Sequence, residues 1–267
     1  MAFTKTNKDL ANSTSGYAYV NGLNMYYEIH GKGAPLVLIH GGGSTIETTF
    51  GRVLHSFAEK RQVIALELQG HGRTADIDRP ETFEQDADDV AALLHYLKIA
   101  NASFFGFSNG ANTTMKIAMR HPELVQKIIV GSAFFKRDGM QPPFWDAMKD
   151  VTLKDMPQKL QEAYKKVAPH PTDLVKMFEK DKNRMVSFKD WMPADIQAIN
   201  VPALIISGDE DVVRLEHAIE LYRLLPQAKL VILPGAHGEY IGEIETRQDE
   251  NFIAATILLI EKFLDER

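Results

Sequence analysis

The stretch FFGFSNGAN, Phe104 to Asn112, restricts the fold more than any other part of the chain. An apolar run ends in a serine that has a glycine two residues away on each side. This pattern predicts a strand that turns straight into a helix, through a turn so tight that a side chain at Gly106 or Gly110 finds no room. With 18 glycines and 9 serines in the chain, independent draws would produce a G-x-S-x-G match about 0.04 times, so chance is a poor explanation. A serine capping the following helix is the ordinary alternative, but a cap does not call for glycines on both flanks. Ser108 is therefore expected to be lifted out of the turn and presented to a ligand.

The surrounding pattern fits a strand and helix alternation. YAYV and MYYEI alternate in polarity around Asn21-Gly22 and predict an antiparallel entry hairpin. The runs at 35–40, 62–68, 102–107 and 127–132 are almost continuously apolar, as strands buried on both faces should be. Thr82 to Leu97 has helical spacing behind a capping threonine, so parallel strands joined by crossover helices follow. From 134 to 200 nothing reads as a core strand, although this part holds both tryptophans and helical periodicity. Strand-like runs return at 201–208 and 228–235, with helices predicted over 214–225 and 248–263. We read residues 1–133 and 201–267 as one core and 134–200 as a helical insertion.

A serine hydroxyl needs a base within reach and an acid to orient that base. Among nine histidines, His237 in LPGAHGEY follows the last strand-like run, where a loop can overhang the strand ends. ISGDEDVV supplies Asp209, Glu210 and Asp211 after the preceding strand; Asp211 is the expected acid and Asp209 the reserve. LIHGGGST, 38–45, brings backbone N–H groups close to any ligand, and it lacks the lysine of a phosphate loop. The N–H of Asn109 with that of Gly42, or alternatively Gly43, is expected to form an oxyanion hole. In the insertion and beside the serine, Phe107, Phe134, Phe135, Phe144, Trp145, Met148, Met177, Phe178, Trp191 and Met192 are candidates for an apolar substrate wall.

Composition narrows the classes. A net charge of -6 without blocks of like charge offers no footprint for nucleic acid or an anionic membrane. The absence of cysteine removes disulfides, thiolate metal sites and a cysteine nucleophile. No histidine pair has zinc-protease spacing, so no metal or other cofactor is expected. No apolar run is long enough for a membrane span, and a cytoplasmic location is expected, although a trimmed signal peptide would leave the same sequence. A small molecule is the expected partner; the oligomeric state, monomer or homo-oligomer, is left open.

Taken together, HGGG at 40–43, LQGHGRT at 68–74, GFSNG, SGDEDV and GAHG make the chain resemble the α/β-hydrolase fold family over nearly its whole length. The resemblance implies a mostly parallel sheet flanked by helices, with 134–200 as a cap over the active site. It implies a Ser108, His237, Asp211 triad, since the family's acid usually stands three residues after the strand-end glycine, here Gly208. A serine hydrolase cleaving an ester or related acyl bond is the implied activity. Lactone opening, perhydrolysis, acyl transfer to an alcohol and carbon–carbon bond hydrolysis share the same acyl-enzyme. A ligand-binding module with little catalysis, or an interaction role for the insertion's charged faces, is the reading from another class. The chain departs from many relatives at Glu67 and Gln69, which bear on a structural ion pair, and at Asn109, which puts an amide beside the oxyanion donor. Serine at the nucleophile position, where dehalogenase relatives carry aspartate, argues against haloalkane chemistry.

Overall fold

The computed structural model describes residues 13–266; the first twelve residues of the expected core and Arg267 lie outside them. Eight strands form one sheet: β1 (Ser13–Val20), β2 (Leu23–His30), β3 (Pro35–Ile39), β4 (Gln62–Leu66), β5 (Ala102–Phe107), β6 (Val125–Gly131), β7 (Ala203–Gly208) and β8 (Ala228–Leu233). Their spatial order is β1-β2-β4-β3-β5-β6-β7-β8. The β1–β2 hairpin turns at Asn21 and Gly22, both with positive φ (49° and 83°), the backbone of the tight hairpin turn that Asn-Gly favours. β2 pairs antiparallel with β4, and every pairing from β4 to β8 is parallel.

Helices cover both faces because side chains alternate along each strand. Val37, Ile39, Ile64, Leu66, Phe104, Ile128, Val130 and Ile205 point to one side, where α3 (Phe83–Tyr96), α4 (Asn109–Arg120) and α9 (Leu215–Leu224) pack. Leu36, Leu38, Val63, Ala65, Phe105, Ile129, Leu204 and Ile206 point to the other, which is covered by α1 (Ile46–Phe50), α2 (Leu54–Ala58) and α10 (Glu250–Asp265). This two-sided burial is why the sequence runs are apolar throughout.

Between β6 and β7 the described chain is helical: α5 (Phe144–Asp150), α6 (Gln158–Val167), α7 (Leu174–Val186) and α8 (Pro193–Gln197). Met156, Tyr164, Leu174 and Met177 form a small apolar cluster inside this segment. An aromatic group docks the segment on the sheet layer. Phe134 meets Phe83, Trp145 and Phe188 edge-on, and Phe83 meets Trp191 at 6.0 Å between ring centres.

α10 is also fastened by charge. Arg61, before β4, donates Nε and Nη2 to the two carboxylate oxygens of Glu261 at 3.3 and 3.0 Å, with both side chains buried. A buried pair is costly to break because the survivor is left uncompensated. Arg61 Nη2 also reaches the exposed Asp265 at 2.5 Å, so Glu261→Ala removes its buried partner but not every counter-charge and should lower unfolding stability by about 2 kcal/mol, measured as a lower urea midpoint at unchanged denaturant slope.

Candidate active site

The carboxyl ends of the parallel strands all lead into loops at one edge of the sheet, the place where open α/β sheets bind ligands. The HGGG loop follows β3, Ser108 follows β5, Ser132 follows β6, Asp209 to Asp211 follow β7, and the loop carrying His237 follows β8.

Ser108 has φ 54° and ψ -122°, and its side chain makes no capping hydrogen bond. The capping alternative is thereby removed, since a capping residue bonds its side-chain oxygen to the helix N–H groups. A non-glycine residue in this region is strained by about 1–3 kcal/mol and persists only when its surroundings enforce it. Here β5 and α4 do so by close approach. A methyl group at Gly106 would collide with the Gly110 carbonyl and Thr114 Oγ1, and one at Gly110 with the carbonyls of Ile39 and His40. The Ser108 N–H is fixed to the Gly131 carbonyl at 2.8 Å.

His237 Nδ1 lies 2.7 Å from Asp211 Oδ1, so the imidazole donates there and leaves Nε2 as the free nitrogen. Its ring sits 4.7 Å from that of Phe107, the residue preceding Ser108. Among the described residues no hydrogen bond links Ser108 Oγ to His237, a contact that commonly tightens only when substrate binds. Asp211 is buried and accepts from the N–H of Val213 at 3.1 Å and from Ser132 Oγ at 2.5 Å. Burial alone would raise its pKa, but the His237 contact and these donors hold it below the ordinary aspartate value. Burial likewise pushes His237 down, and the facing Asp211 carboxylate more than reverses this, leaving it above the ordinary histidine value. Asp209 is exposed and accepts from the Gly235 N–H at 2.8 Å, apart from the histidine.

The HGGG loop divides its donors. Gly43 N–H points to Asp181 Oδ2 on α7 at 2.5 Å, whereas neither Gly42 N–H nor Asn109 N–H has a hydrogen-bond partner among the described residues. His40 anchors the loop from below, with Nδ1 against the Gly41 carbonyl at 2.7 Å and Nε2 accepting from Leu68 N–H at 3.1 Å. Burial, with His71 nearby, pushes its pKa down to about 3, so it stays neutral. Glu67, buried at the end of β4, takes the Arg73 N–H and Nη1 at 2.5 and 2.9 Å. Burial pushes it up to about 7. The ion pair expected to change at Glu67 and Gln69 is thus present in another form, with Gln69 donating to Asp76 at 2.8 Å.

Ser108, Asn109, Gly42 and Gly43 open into a cavity of about 290 Å³ walled mainly by the helical segment: Phe144, Met148, Val151, Met156, Leu160, Met177, Phe178 and Met185. Phe144, Met148, Met177 and Phe178 from the expected wall are there. Phe107, Phe134, Phe135, Trp145, Trp191 and Met192 are not on this wall, which corrects that expectation. Phe134, Trp145 and Trp191 are spent on the aromatic docking group, Phe135 stacks on His217 at 4.5 Å, and Phe107 packs on His237 and Tyr240. Met192 is 66% exposed. Large aromatics pack best where two layers meet, and composition alone does not separate that role from a ligand wall.

Sequence reasoning missed two groups of residues. Ser132, itself at φ 55°, bonds both Asp211 and the Tyr240 hydroxyl (2.9 Å), steadying the carboxylate. Asp181, His71, Arg184 and Asp86 form a buried charge network between α7 and the core. Neither has a local signal, because the partners lie far apart in the chain. His71 inside LQGHGRT was the nearest hint.

The collision geometry gives a direct test. Gly110→Ala should cost about 2–4 kcal/mol of unfolding stability, since backbone carbonyls must move. Gly16→Ala, whose methyl would meet only the Tyr27 side chain at 3.3 Å, should stay within about 0.5 kcal/mol. Equal denaturation midpoints for the two variants would contradict the packing account.

The profile of the family "Serine aminopeptidase, S33" matches residues 32–245, a span from the end of the entry hairpin to beyond His237. The chain is 28% identical over 243 residues to human "Serine hydrolase BPHL", covering 85% of this chain and 81% of that protein. It is 29% identical over 250 residues to the "AB hydrolase superfamily protein YisY" of Bacillus subtilis (strain 168), covering 84% and 92%. Among solved structures it superposes on the enol-lactonase of Burkholderia xenovorans LB400 with a TM-score of 0.73 at 24% identity, covering 94% of this chain and all of that one. The fold, the strand-edge site and these matches agree: the chain is a hydrolytic enzyme of the α/β-hydrolase superfamily and belongs to the serine aminopeptidase S33 family.

Proposed function

We propose that the enzyme cleaves a carboxylic ester, or a closely related acyl bond, of a small to medium and largely apolar substrate. The observation that carries this is the cavity above Ser108. Its wall is apolar, and the charged residues that line it are engaged elsewhere. Lys182 Nζ donates to the Val151 carbonyl at 2.7 Å, and Asp155 accepts the Thr152 N–H and hydroxyl, both at 2.8 Å. Asp181 is held by His71 and Arg184. A peptide N-terminus, the substrate group implied by the family's name, needs a carboxylate free to pair with its ammonium. The buried carboxylate beside Ser108, Asp181, already faces two cationic partners, and Asp155 is an exposed capping residue at the rim, which favours a neutral acyl group next to the serine.

In this reading Ser108 Oγ attacks the carbonyl carbon and passes its proton to His237 Nε2, while Asp211 holds the imidazole and stabilises its charged form. The carbonyl oxygen, now negative, is held by the N–H groups of Gly42 and Asn109. Donors of this kind are worth about 3 kcal/mol each in the transition state. His237 returns the proton to the leaving alcohol as the ester C–O bond breaks, then takes one from water, which attacks the acyl-enzyme; the bond to Ser108 Oγ breaks, the acid leaves, and His237 hands that proton back to Ser108 Oγ. The apolar helical wall keeps bulk water off the oxyanion, where a low dielectric strengthens both hydrogen bonds. The cavity lies at the lower end of small-molecule pocket volumes, which suits short or medium acyl chains.

The base works only when neutral, and Asp211 raises the pKa of His237. Activity should therefore fall as pH drops through a value above the ordinary histidine pKa of about 6.5. Hydrolysis of p-nitrophenyl acyl esters followed against pH should show that rising limb in wild type. In Asp211→Asn the limb should move to lower pH and kcat should fall by about three to four orders of magnitude. Turnover that persists in Ser108→Ala, or an unmoved limb in Asp211→Asn, contradicts the assignment.

A further inference from the structure

Asp181 lies on α7, far from the strand edge in sequence, yet its carboxylate reaches the loop beside Ser108. Oδ2 accepts the Gly43 N–H at 2.5 Å and lies 2.9 Å from His71 Nε2, which itself stands 3.2 Å from the Gly43 nitrogen, so Asp181 is the nearer of two groups at that N–H. Oδ1 pairs with Arg184, whose other arm reaches Asp86 at 2.8 Å. Asp181 is also part of the cavity wall with Gly42, Gly43 and Ser108.

Resting on the hydrolase reading above, we propose that Asp181 is a positioning residue of the oxyanion loop. By taking the Gly43 N–H out of play, it turns the loop so that Gly42 N–H is the donor left for the substrate oxyanion. The two amides are neighbours in one glycine-rich loop, and Gly43 stands at φ 66°. Fixing one peptide plane restricts the next, because only φ and ψ at the residue between them remain free. The contact also joins the loop to the helical segment, so a productive hole exists only when α7 is seated.

A carboxylate beside an oxyanion hole would oppose catalysis if its charge were bare, and the surrounding groups prevent this. His71 is buried, which favours its neutral form, yet the adjacent Asp181 carboxylate pushes its pKa up to about 9. It therefore faces Asp181 as an imidazolium, with Nδ1 donating to the Gln69 carbonyl at 2.8 Å. Arg184 supplies the second positive charge, and Asp86 balances it from α3. Glu81, buried nearby with neither carboxyl oxygen bonded among the described residues, is pushed above the ordinary glutamate value by burial and by Asp181, which favours its uncharged form. The cluster is close to neutral as seen from the hole.

The test compares Asp181→Ala, Asp181→Asn and Asp181→Glu with wild type and Ser108→Ala. It uses the rate of labelling by a fluorophosphonate, the kcat and KM for a p-nitrophenyl ester, and thermal melting. Asp181→Ala should label about 10- to 100-fold more slowly, with kcat reduced in proportion and KM within about threefold of wild type. Asp181→Asn keeps an acceptor for Gly43 N–H and should recover to within about tenfold of wild type. If Asp181→Ala does not fold, Asp181→Glu is read instead: it keeps the charge but displaces the acceptor by one methylene, so labelling should slow while the melt is nearly held. Met177→Ala, on the same wall without contact to the loop, should change KM more than kcat. A folded Asp181→Ala that labels as fast as wild type overturns the proposal. So does an Asp181→Asn no better than Asp181→Ala, or a loss lying in KM alone. A folded wild type that neither labels nor turns over overturns instead the hydrolase reading on which the proposal rests.

Discussion

The site depends first on how closely two backbones approach. β5 meets α4 at Gly106, and α4 meets the end of β3 at Gly110, with no room for a single methyl group on either. This packing, with the Ser108 N–H bonded to the Gly131 carbonyl, holds Ser108 at a positive φ against a cost of about 1–3 kcal/mol. The strain is local, while the packing that sustains it is distributed over a sheet buried on both faces. The apolar strands and the exposed serine are therefore parts of one arrangement, in which the core supplies the energy that keeps the hydroxyl raised.

Two charge systems flank that serine and act differently. Asp211 works through His237, with its remaining oxygen fixed by Ser132 and, behind it, Tyr240. Each added donor keeps the carboxylate ionised and stops it from rotating away from the imidazole. Asp181 works on the opposite side, tying a helix of the insertion to a backbone amide of the glycine loop. It is compensated by His71 and Arg184, so that a buried carboxylate can stand beside the proposed oxyanion hole. In the mechanism we propose, one network prepares the base and the other shapes the donors.

Much of this was legible in the sequence because it rests on local rules. The Asn21-Gly22 hairpin, the Thr82 cap of α3 and the strand at 102–107 follow from turn chemistry, capping and apolar periodicity. The predicted strands at 62–68 and 228–235 run past the observed ends at Leu66 and Leu233, where the chain leaves the ladder to build loops. Partners brought together across the chain were not legible. Ser132 meets Asp211 over 79 positions and His71 meets Asp181 over 110. The aromatic residues of the insertion were legible as apolar but not as to which side they face: Trp145 and Trp191 dock the segment, while unbranched Met148, Met156, Met177 and Met185 line the cavity. Methionine suits that place, since it fills irregular space and yields to different ligands.

If Ser108 is the nucleophile, an organophosphonate modifies it covalently, and intact-protein mass spectrometry reads that modification. One covalent adduct is expected on wild type, none on Ser108→Ala, and a labelled peptide containing Ser108. An adduct of equal yield on folded Ser108→Ala, or no adduct on folded wild type, would contradict that role.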